Sequence, residues 1–341
     1  MIDQVEELIR ALRSLDRSER LAAALALCEL KLRVRDAIPV LLEAYSHEQD
    51  MRSAISHALM EMPLNPHQEM RAFSICRRAF KEDSEGRADA VWLMASLTSL
   101  RSKVIPFLIE TVYDEDSGVS SCAEDAIRFI GDEAYTEIIK TAIHGDNEMR
   151  IKVIKLIPDF MENMSEGLYG DVYNLLLDCI NDQDSRVRFN AILALSDYYY
   201  NLFRVYHTWQ IVPDIEFEDY LKKDSDAYAG YINPFIRTLC QDEDAKVRWA
   251  AILGLESIES MCHTTLPSII DTLQAALKDV NQDVRLESVI ALEKIGYDYN
   301  KLIPSIIAVL DKSLLFVTAD EAKVKKAINK AKLTLKREIS F

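Results

Sequence analysis

The sequence DQDSRVRFNAILALSDY, residues 182–198, recurs sixty residues later as DEDAKVRWAAILGLESI, residues 242–258. Eight of the seventeen aligned positions are identical. A third and weaker copy, DVNQDVRLESVIALEKI, occupies residues 279–295. Internal repeats of this size indicate an array of supersecondary units, so they decide the architecture before any single residue is considered.

The composition favours helices joined by short polar turns. The chain has 341 residues, of which 49% are hydrophobic, yet it contains only nine glycines and nine prolines. A β-rich protein of this length needs many more turn residues. The formal net charge is −16. Such a surface repels phosphate backbones and anionic membranes, and it favours a partner with a basic surface.

The cysteines and the N-terminal residues indicate a reducing compartment. The six cysteines are dispersed and form no CxxC pair, which is typical of a cytoplasmic protein without disulfides. The first residues, MIDQVEELIR, do not resemble a signal peptide, and no apolar run approaches the ~20 residues that span a bilayer. We therefore expect a cytoplasmic protein that does not enter the membrane.

The arginine of the Val-Arg pair serves as a reference position along the chain. Equivalent positions recur at steps of 30–40 residues, with one exceptional step of 60. An acidic residue four positions earlier is placed to cap a second helix, and a proline is expected near the start of several first helices, namely Pro39, Pro106, Pro234, Pro267 and Pro304. The reference positions are Arg20, Arg52, Arg87, Ser120, Arg150, Arg188, Arg248, Arg285 and Lys325.

This unit of helix, acidic turn and helix resembles the HEAT repeats of the armadillo-like proteins. Pro234, Asp244, Val247 and Arg248 match the family pattern well, whereas the first five repeats are more degenerate. The resemblance implies an all-α fold, a right-handed α-solenoid of about nine helix-pair repeats. First helices would line its convex face and second helices its concave face. It also implies a polar ladder between neighbouring turns, formed by Asp184, Arg188, Asp244, Arg248 and Arg285.

We expect the whole chain, residues 1–341, to form a single solenoid domain. Repeats one to six occupy 1–203, an aromatic and acidic insertion occupies 204–226, and repeats seven, eight and the start of nine occupy 227–319. Residues 320–341 carry seven Lys or Arg against three acids, and their apolar stripe predicts a basic capping helix.

The insertion is the main candidate for a binding site. The sixty-residue step exceeds one repeat by roughly twenty-two residues, and insertions in repeat arrays often lie on the binding face. Aromatic rings mixed with carboxylates suit a cationic partner. The alternative is that the aromatic residues only pack on their own repeats. The candidate partner-binding residues are Tyr199, Tyr200, Tyr206, Trp209, Glu216, Glu218, Asp219 and Tyr220.

No catalytic residue, metal ligand or cofactor site is predicted. The sequence has no HExxH, CxxC, P-loop or dinucleotide glycine pattern. The favoured hypothesis is a non-catalytic scaffold or adaptor that holds a partner protein with a basic surface on its concave face. Specific forms of this hypothesis are an immunity-like protein and a regulatory adaptor. The alternative is a HEAT-like enzyme on DNA bases, similar to alkylpurine glycosylases, or a chromophore protein similar to phycobilin lyases. The acidic charge argues against nucleic acid and membrane partners.

Overall fold

The computed structural model describes residues 2–30, 37–47, 51–82, 86–208, 225–259, 266–317 and 321–338. Within these ranges every regular element is helical and no strand occurs. The predicted all-α fold is therefore confirmed. First and second helices alternate along the described chain in nine pairs, and each second helix contains its reference position in its first turn.

The first compact unit spans Met1–Ile138 and contains four helix pairs. In each pair the first helix packs on the second, and the second helices also pack on one another in chain order. Side chains such as Leu27, Ile55 and Leu59 are fully buried between them. The helices are α1 (Ile2–Ala11), α2 (Arg17–Leu30), α3 (Ile38–His47), α4 (Arg52–Met60), α5 (Pro66–Glu82), α6 (Arg87–Ala95), α7 (Arg101–Thr111) and α8 (Ser117–Ile130).

The second compact unit spans Ile139–Phe341, and the division falls inside α9. From α10 onward the second helices again pack on one another in chain order, α10 on α12, α12 on α14, α14 on α16 and α16 on α18. The helices are α9 (Asp132–His144), α10 (Asn147–Phe160), α11 (Glu166–Cys179), α12 (Ser185–Thr208), α13 (Ser225–Gln241), α14 (Ala245–Glu259), α15 (Leu266–Ala276), α16 (Gln282–Asp298), α17 (Ile303–Ser313) and α18 (Ala322–Glu338).

Repeated apolar positions form the core of the second unit. The residues four and seven positions after the reference arginine are at most 1% exposed in three successive second helices. Burying each such Ile, Leu or Val side chain stabilises the fold by roughly 1.5–3 kcal/mol. The same sequence spacing therefore places equivalent side chains in each helix-to-helix contact, and these residues are Ile192, Leu195, Ile252, Leu255, Val289 and Leu292.

Short acidic turns cap the second helices. The carboxylate of Asp116 accepts hydrogen bonds from the backbone N–H groups of Gly118 and Val119, at 2.8 and 3.3 Å. Asp184 accepts from the N–H of Arg186 at 2.9 Å, and Asp244 does the same with Lys246 at 2.8 Å. These bonds satisfy donors that have no partner inside the helix.

The prolines do not all lie where the sequence pattern places them. Pro39, Pro267 and Pro304 each occupy the second position of their helix, as predicted. Pro106 and Pro234 instead lie inside α7 and α13, which begin five and nine residues earlier, respectively. Both first helices extend further upstream than the repeat pattern indicates, so in these two helices the proline no longer marks the start.

The reference arginines join neighbouring turns in the second unit. Arg188 donates from Nε and Nη2 to both carboxylate oxygens of Asp242, at 2.8 and 2.9 Å, and its Nη1 donates to the carbonyl oxygens of Asp182 and Gln183 in its own turn. Arg248 repeats this arrangement with Asp279, at 2.7 and 2.8 Å. Bidentate bonds of this kind combine charge with a fixed geometry.

The ladder continues on both sides of these two arginines. Arg150 donates to Asp182 at 2.6 Å, and Arg285 pairs with Glu321. In the first unit, Arg87 pairs with Asp114. Asp182, Asp242 and Asp279 each also accept from the backbone N–H two residues later, at 2.8–2.9 Å, which holds the turn in shape. One aspartate thus fixes its own turn and receives the arginine of the preceding repeat.

Asp184 and Asp244, which the sequence analysis assigned to the ladder, take a different position. They cap helices, and they reach the preceding repeat through Asn147 Nδ2, 2.8 Å from Asp184, and through a side-chain hydrogen bond between Ser185 and Asp244. The arginines instead bond to the aspartates two residues earlier in each turn. The physical reason is that the cap side chain folds back onto its own helix, whereas the earlier aspartate faces the neighbouring turn.

Insertion residues 204–226 are partly helical. Helix α12 continues to Thr208 and α13 begins at Ser225, while residues 209–224 lie outside the described ranges. With 24 residues, α12 is about 36 Å long at ~1.5 Å per residue. None of the described helices has both the length and the apolar character that a bilayer-spanning segment requires.

Replacing Gly254 with alanine tests the close packing of α13 on α14. A Cβ at Gly254 would lie 2.2 Å from Cε1 of Phe235, which is fully buried. Because the ring has no room to move, we expect the Gly254→Ala variant to lose about 1–3 kcal/mol of unfolding free energy, measured by urea denaturation. Gly170→Ala is the matched control, since no atom lies within 4 Å of its Cβ position, and it should be neutral or slightly stabilising. Equal behaviour of the two variants would contradict this packing.

Replacing Asp279 with asparagine tests the ladder. The side chains of Arg248 and Asp279 are only 10% and 11% exposed, so the variant leaves a largely buried guanidinium without its counter-charge. We expect a loss of about 3 kcal/mol at pH 7. Asp283→Asn, at an exposed carboxylate in the first turn of α16, should change stability by less than about 0.5 kcal/mol.

The pH dependence gives a second readout for the same variant. Burial raises the pKa of Asp279, but the hydrogen bond from Arg248 and the Asn281 N–H outweigh it, so this pKa lies below the ordinary 3.8. A lowered carboxyl pKa stabilises the fold above the ordinary value, and this contribution is lost as the pH falls through the folded-state pKa. The difference between the wild type and the variant should therefore narrow below about pH 4. A difference that stays constant down to pH 2 would contradict the ladder's role.

Candidate functional site

Tyr199, the first of the predicted partner-binding residues, lies in the core. It is 4% exposed, and its ring centroid lies 6.2 Å from that of Tyr173, 5.7 Å from that of Tyr198 and 6.1 Å from that of Phe235. Tyr198 also donates its hydroxyl to the carbonyl oxygen of Tyr169 at 3.2 Å. These aromatic contacts join α11 and α12, which precede the insertion, to α13, which follows it, so Tyr199 packs its own repeats together.

Tyr200 faces the other way and is 54% exposed. Tyr206 belongs to the last turn of α12. The remaining predicted residues lie outside the described part of the chain, so their contacts stay a prediction, namely those of Trp209, Glu216, Glu218, Asp219 and Tyr220.

The exposed side of the second helices carries apolar side chains in a regular order. The residues one and five positions after the reference arginine are half-buried or exposed in α12, α14 and α16. Tyr200 and Tyr297, both twelve positions after their reference arginine, extend this surface at one end. We call it the second-helix face, and it consists of Phe189, Leu193, Tyr200, Trp249, Leu253, Leu286, Ile290 and Tyr297.

A pocket of about 410 Å³ opens on this face between α14 and α16. Its apolar lining comes from Trp249, Leu286 and Ile290. The indole Nε1–H of Trp249 donates to Oε2 of Glu287 at 2.9 Å, which orients both side chains. The charged groups of the lining are Lys246, Asp283 and Glu287, so two carboxylates face one ammonium group.

Two further carboxylates on this face have raised pKa values. Burial raises the pKa of Glu256, the nearby Glu287 raises it further, and Lys294, 3.6 Å away, opposes the shift. The second carboxylate oxygen of Glu256 has no hydrogen-bond partner among the described residues. Burial also raises the pKa of Asp197, with a smaller contribution from the nearby Asp159. A cationic group placed beside either carboxylate would relieve this unfavourable burial of charge.

This site was accessible to sequence reasoning through a signal that the repeat pattern contains. Phe189, Trp249 and Leu286 follow their reference arginines directly. A residue at that position points away from the buried side of the helix, which the residues four and seven positions after the arginine form. Apolar residues at this exposed position are the useful signal. The hydrogen bond between Trp249 and Glu287 could not be predicted from the sequence, because the two residues are 38 positions apart and meet only when their helices pack together.

Among the described residues, no group of three or more His, Cys, Asp or Glu side chains is arranged to hold a metal ion. The ladder arginines are occupied by carboxylates and carbonyl groups, so they are not available to a substrate.

The second unit contains the residues that match a known family. Residues 232–322, from α13 to the start of α18, match the family of HEAT repeats. This region overlaps the predicted repeats seven, eight and nine, and it contains one of the two best copies of the Val-Arg pattern, residues 242–258. No curated protein matches the chain.

Several solved structures have a similar arrangement of helices. One is an engineered protein, with 19% identity, a TM-score of 0.33, and coverage of 97% of this chain and 98% of that one. Another is the complex of CpcE and CpcF of phycocyanin lyase from Nostoc sp. PCC7120, with 19% identity, a TM-score of 0.38, and coverage of 56% and 98%. A third is Kap95p with RanGDP, with 14% identity, a TM-score of 0.48, and coverage of 97% and 46%.

These similarities concern helical architecture and do not extend to a reaction or a partner. The helix pairs, the turn aspartates and the matched region agree with the pattern read from the sequence. The resemblance to the HEAT-repeat proteins is therefore confirmed, and residues 232–322 are the part of the chain that matches the family of HEAT repeats.

Proposed function

We propose that this protein is a non-catalytic scaffold or adaptor that holds a protein partner with a basic surface against its second-helix face. The HEAT-repeat fold is one that suits protein interaction. The observation that carries the proposal is the combination, on one exposed face, of regularly spaced apolar side chains with an excess of carboxylates.

The apolar part of the face supplies the contact area. Tyr200, Ile290 and Tyr297 are 54%, 49% and 62% exposed, although each belongs to a well-packed helix. Isolated exposed apolar residues need no explanation, but a series that continues across three neighbouring helices indicates an interaction surface. Trp249 and the tyrosines are also the residue types that contribute most to protein interfaces.

The charges on the face favour a basic partner. Helices α12, α14 and α16 present five carboxylates to this side against three cations, a net charge of −2. Two of those cations are already paired, Arg186 with Asp184 at 2.9 Å and Lys294 with Glu256. The carboxylates are Asp197, Glu256, Asp283, Glu287 and Glu293, and the third cation is Lys246.

Helix α18 gives this surface a boundary. Its buried side is formed by Val324, Ile328, Ala331 and Leu335, whereas Lys323, Lys326 and Lys330 are exposed at the positions that continue the second-helix face. A basic partner would be attracted to α12, α14 and α16 and repelled by α18. Such a change of sign along one face fixes the register of a partner more than it adds affinity.

The insertion extends the proposal beyond the described residues. Helix α12 leads directly from Tyr200 on the second-helix face into the insertion, whose residues include Trp209, Glu216 and Glu218. The same combination of aromatic rings and carboxylates therefore continues along the chain. We propose that the insertion contacts the same basic partner.

An enzyme acting on DNA bases is less well supported. Binding a phosphate backbone requires a basic surface, and the described second-helix face carries an excess of carboxylates around Trp249 and Glu256. No observation on the described residues favours a chromophore-handling activity.

Two substitutions on the second-helix face test the proposed function. Tyr200→Ser combined with Ile290→Ser removes exposed apolar contacts on two helices without opening the core. We expect the wild type to capture, from native lysate, one protein that has a basic surface. The double variant should capture at least ~90% less of that protein, which corresponds to a loss of about 1.4 kcal/mol or more of binding free energy. Quantitative mass spectrometry of the captured proteins is the measurement.

A control variant removes two exposed apolar side chains elsewhere. Val280→Ser combined with Leu315→Ser alters two turn residues that are 93% and 81% exposed and lie outside the second-helix face. This variant should capture as much of the partner as the wild type does. Capture that falls equally in both double variants, or in neither, would contradict the proposed face. Circular dichroism and urea unfolding verify that both variants are folded.

The role of the insertion has its own test. A chain lacking residues 204–224 should capture less of the same partner. In a second, full-length variant, Glu216→Gln, Glu218→Gln and Asp219→Asn neutralise the acids of the insertion. This variant should lose most capture at low salt, because screening already reduces these attractions at high salt. An unchanged set of captured proteins in both variants would remove the insertion from the binding site and leave the second-helix face as its only part.

A further inference from the structure

The pocket between α14 and α16 has features that specify one side chain of the partner. We propose that it binds the guanidinium group of a partner arginine, which lies against the indole of Trp249 and donates hydrogen bonds to Glu287. This inference deepens the proposed function and rests on it only in that the arginine comes from a protein.

The geometry of the pocket supports a planar cation. Trp249 is half-buried and is the only aromatic residue among the described residues of the lining, and the face of an indole ring attracts cations more strongly than other aromatic rings do. Its Nε1–H holds Oε2 of Glu287 at 2.9 Å. The carboxylate is thus fixed beside the ring, so a guanidinium group could stack on the indole and bond to Glu287 at the same time.

The charges of the pocket agree with this occupant. Asp283 and Glu287 outnumber Lys246, which gives the lining a net charge of −1. The charge of Glu287 also contributes to the raised pKa of Glu256, so a second carboxylate lies close to Glu287. An anionic ligand would meet two carboxylates, and a purely apolar side chain would leave them desolvated without compensation.

Arginine fits these groups better than lysine. A guanidinium group is planar, is weakly hydrated, and presents donors in a fork that matches a carboxylate. An ammonium group is compact and strongly hydrated, so it would lose more on leaving water and could form only point contacts. The volume of about 410 Å³ leaves room for the aliphatic part of the side chain against Leu286 and Ile290.

The test uses a small probe, so it does not depend on finding the partner. The ¹⁵N-labelled full chain is titrated with N-acetyl-arginine amide, and the indole N–H signals of its three tryptophans are followed by NMR. Trp249→Phe identifies the signal of Trp249. We expect a saturable shift of that signal, with a dissociation constant in the millimolar range, and no saturable shift of the signals of Trp92 and Trp209.

Three variants separate the contributions within the pocket. Glu287→Gln should weaken binding about tenfold, because it removes the charged acceptor. Lys246→Gln should strengthen binding a few-fold, because it removes a like charge. Asp298→Asn is the matched control, because Asp298 is an exposed carboxylate on the same helix that neither lines the pocket nor belongs to the carboxylates of the second-helix face, and it should leave the affinity unchanged.

Two further probes define what would overturn the assignment. N-acetyl-lysine amide and N-acetyl-norleucine amide should each bind at least about tenfold more weakly than the arginine probe. Equal binding of the lysine probe, equal binding of the norleucine probe, or full binding to Glu287→Gln would each overturn it. If the arginine probe binds but the Tyr200→Ser and Ile290→Ser double variant captures as much partner as the wild type, the proposed function is overturned and the pocket assignment stands. If the double variant loses capture but the arginine probe does not bind, the pocket assignment is overturned and the proposed function stands.

Discussion

Each ladder arginine forms hydrogen bonds to two successive turns, and the packing of the second unit depends on these bonds. Arg188 and Arg248 each bond to carbonyl oxygens of their own turn and to the aspartate of the next. Each arginine is less than 10% exposed, so it is buried together with its partner. Removing one member would leave a buried charge, whereas keeping both fixes the distance and orientation of successive turns. The stacking of the second helices follows from that fixed spacing.

The ladder also determines which side of each second helix is left free. The residues four and seven positions after the arginine are buried against the next helix, so those one and five positions after it remain on the outside. A repeat that only stabilised the fold would carry polar residues there. Instead, α12, α14 and α16 carry Phe189, Trp249 and Leu286 at the first of these positions. The regular fold thus presents a regularly spaced series of apolar side chains on its outer side.

The acidic residues of the second unit have two different roles, which the net charge does not distinguish. Part of it maintains the array, as with Asp242 and Asp279, whose carboxylates are occupied by arginines. Another part lies on the second-helix face, where partial desolvation raises the pKa values of Glu256 and Asp197. The carboxylates of the second group are not bonded to ladder arginines, so we assign them to the proposed binding face. A basic protein would therefore meet a few positioned carboxylates beside aromatic rings rather than a uniformly acidic surface.

The sequence by itself determined the helix pairs, their number, the reference arginines and the exceptional step after α12, because these follow from spacing and from the preferences of single residues. It could not decide between Asp242 and Asp244 as the partner of Arg188, since both are acidic and belong to one turn. Only the folded turn directs one to its own helix and the other to its neighbour. It could not separate Tyr199 from Tyr200 either, although the helix buries one and exposes the other. The pocket of Trp249 and Glu287 was likewise decided by tertiary structure, because it exists only where two helices distant in sequence pack side by side.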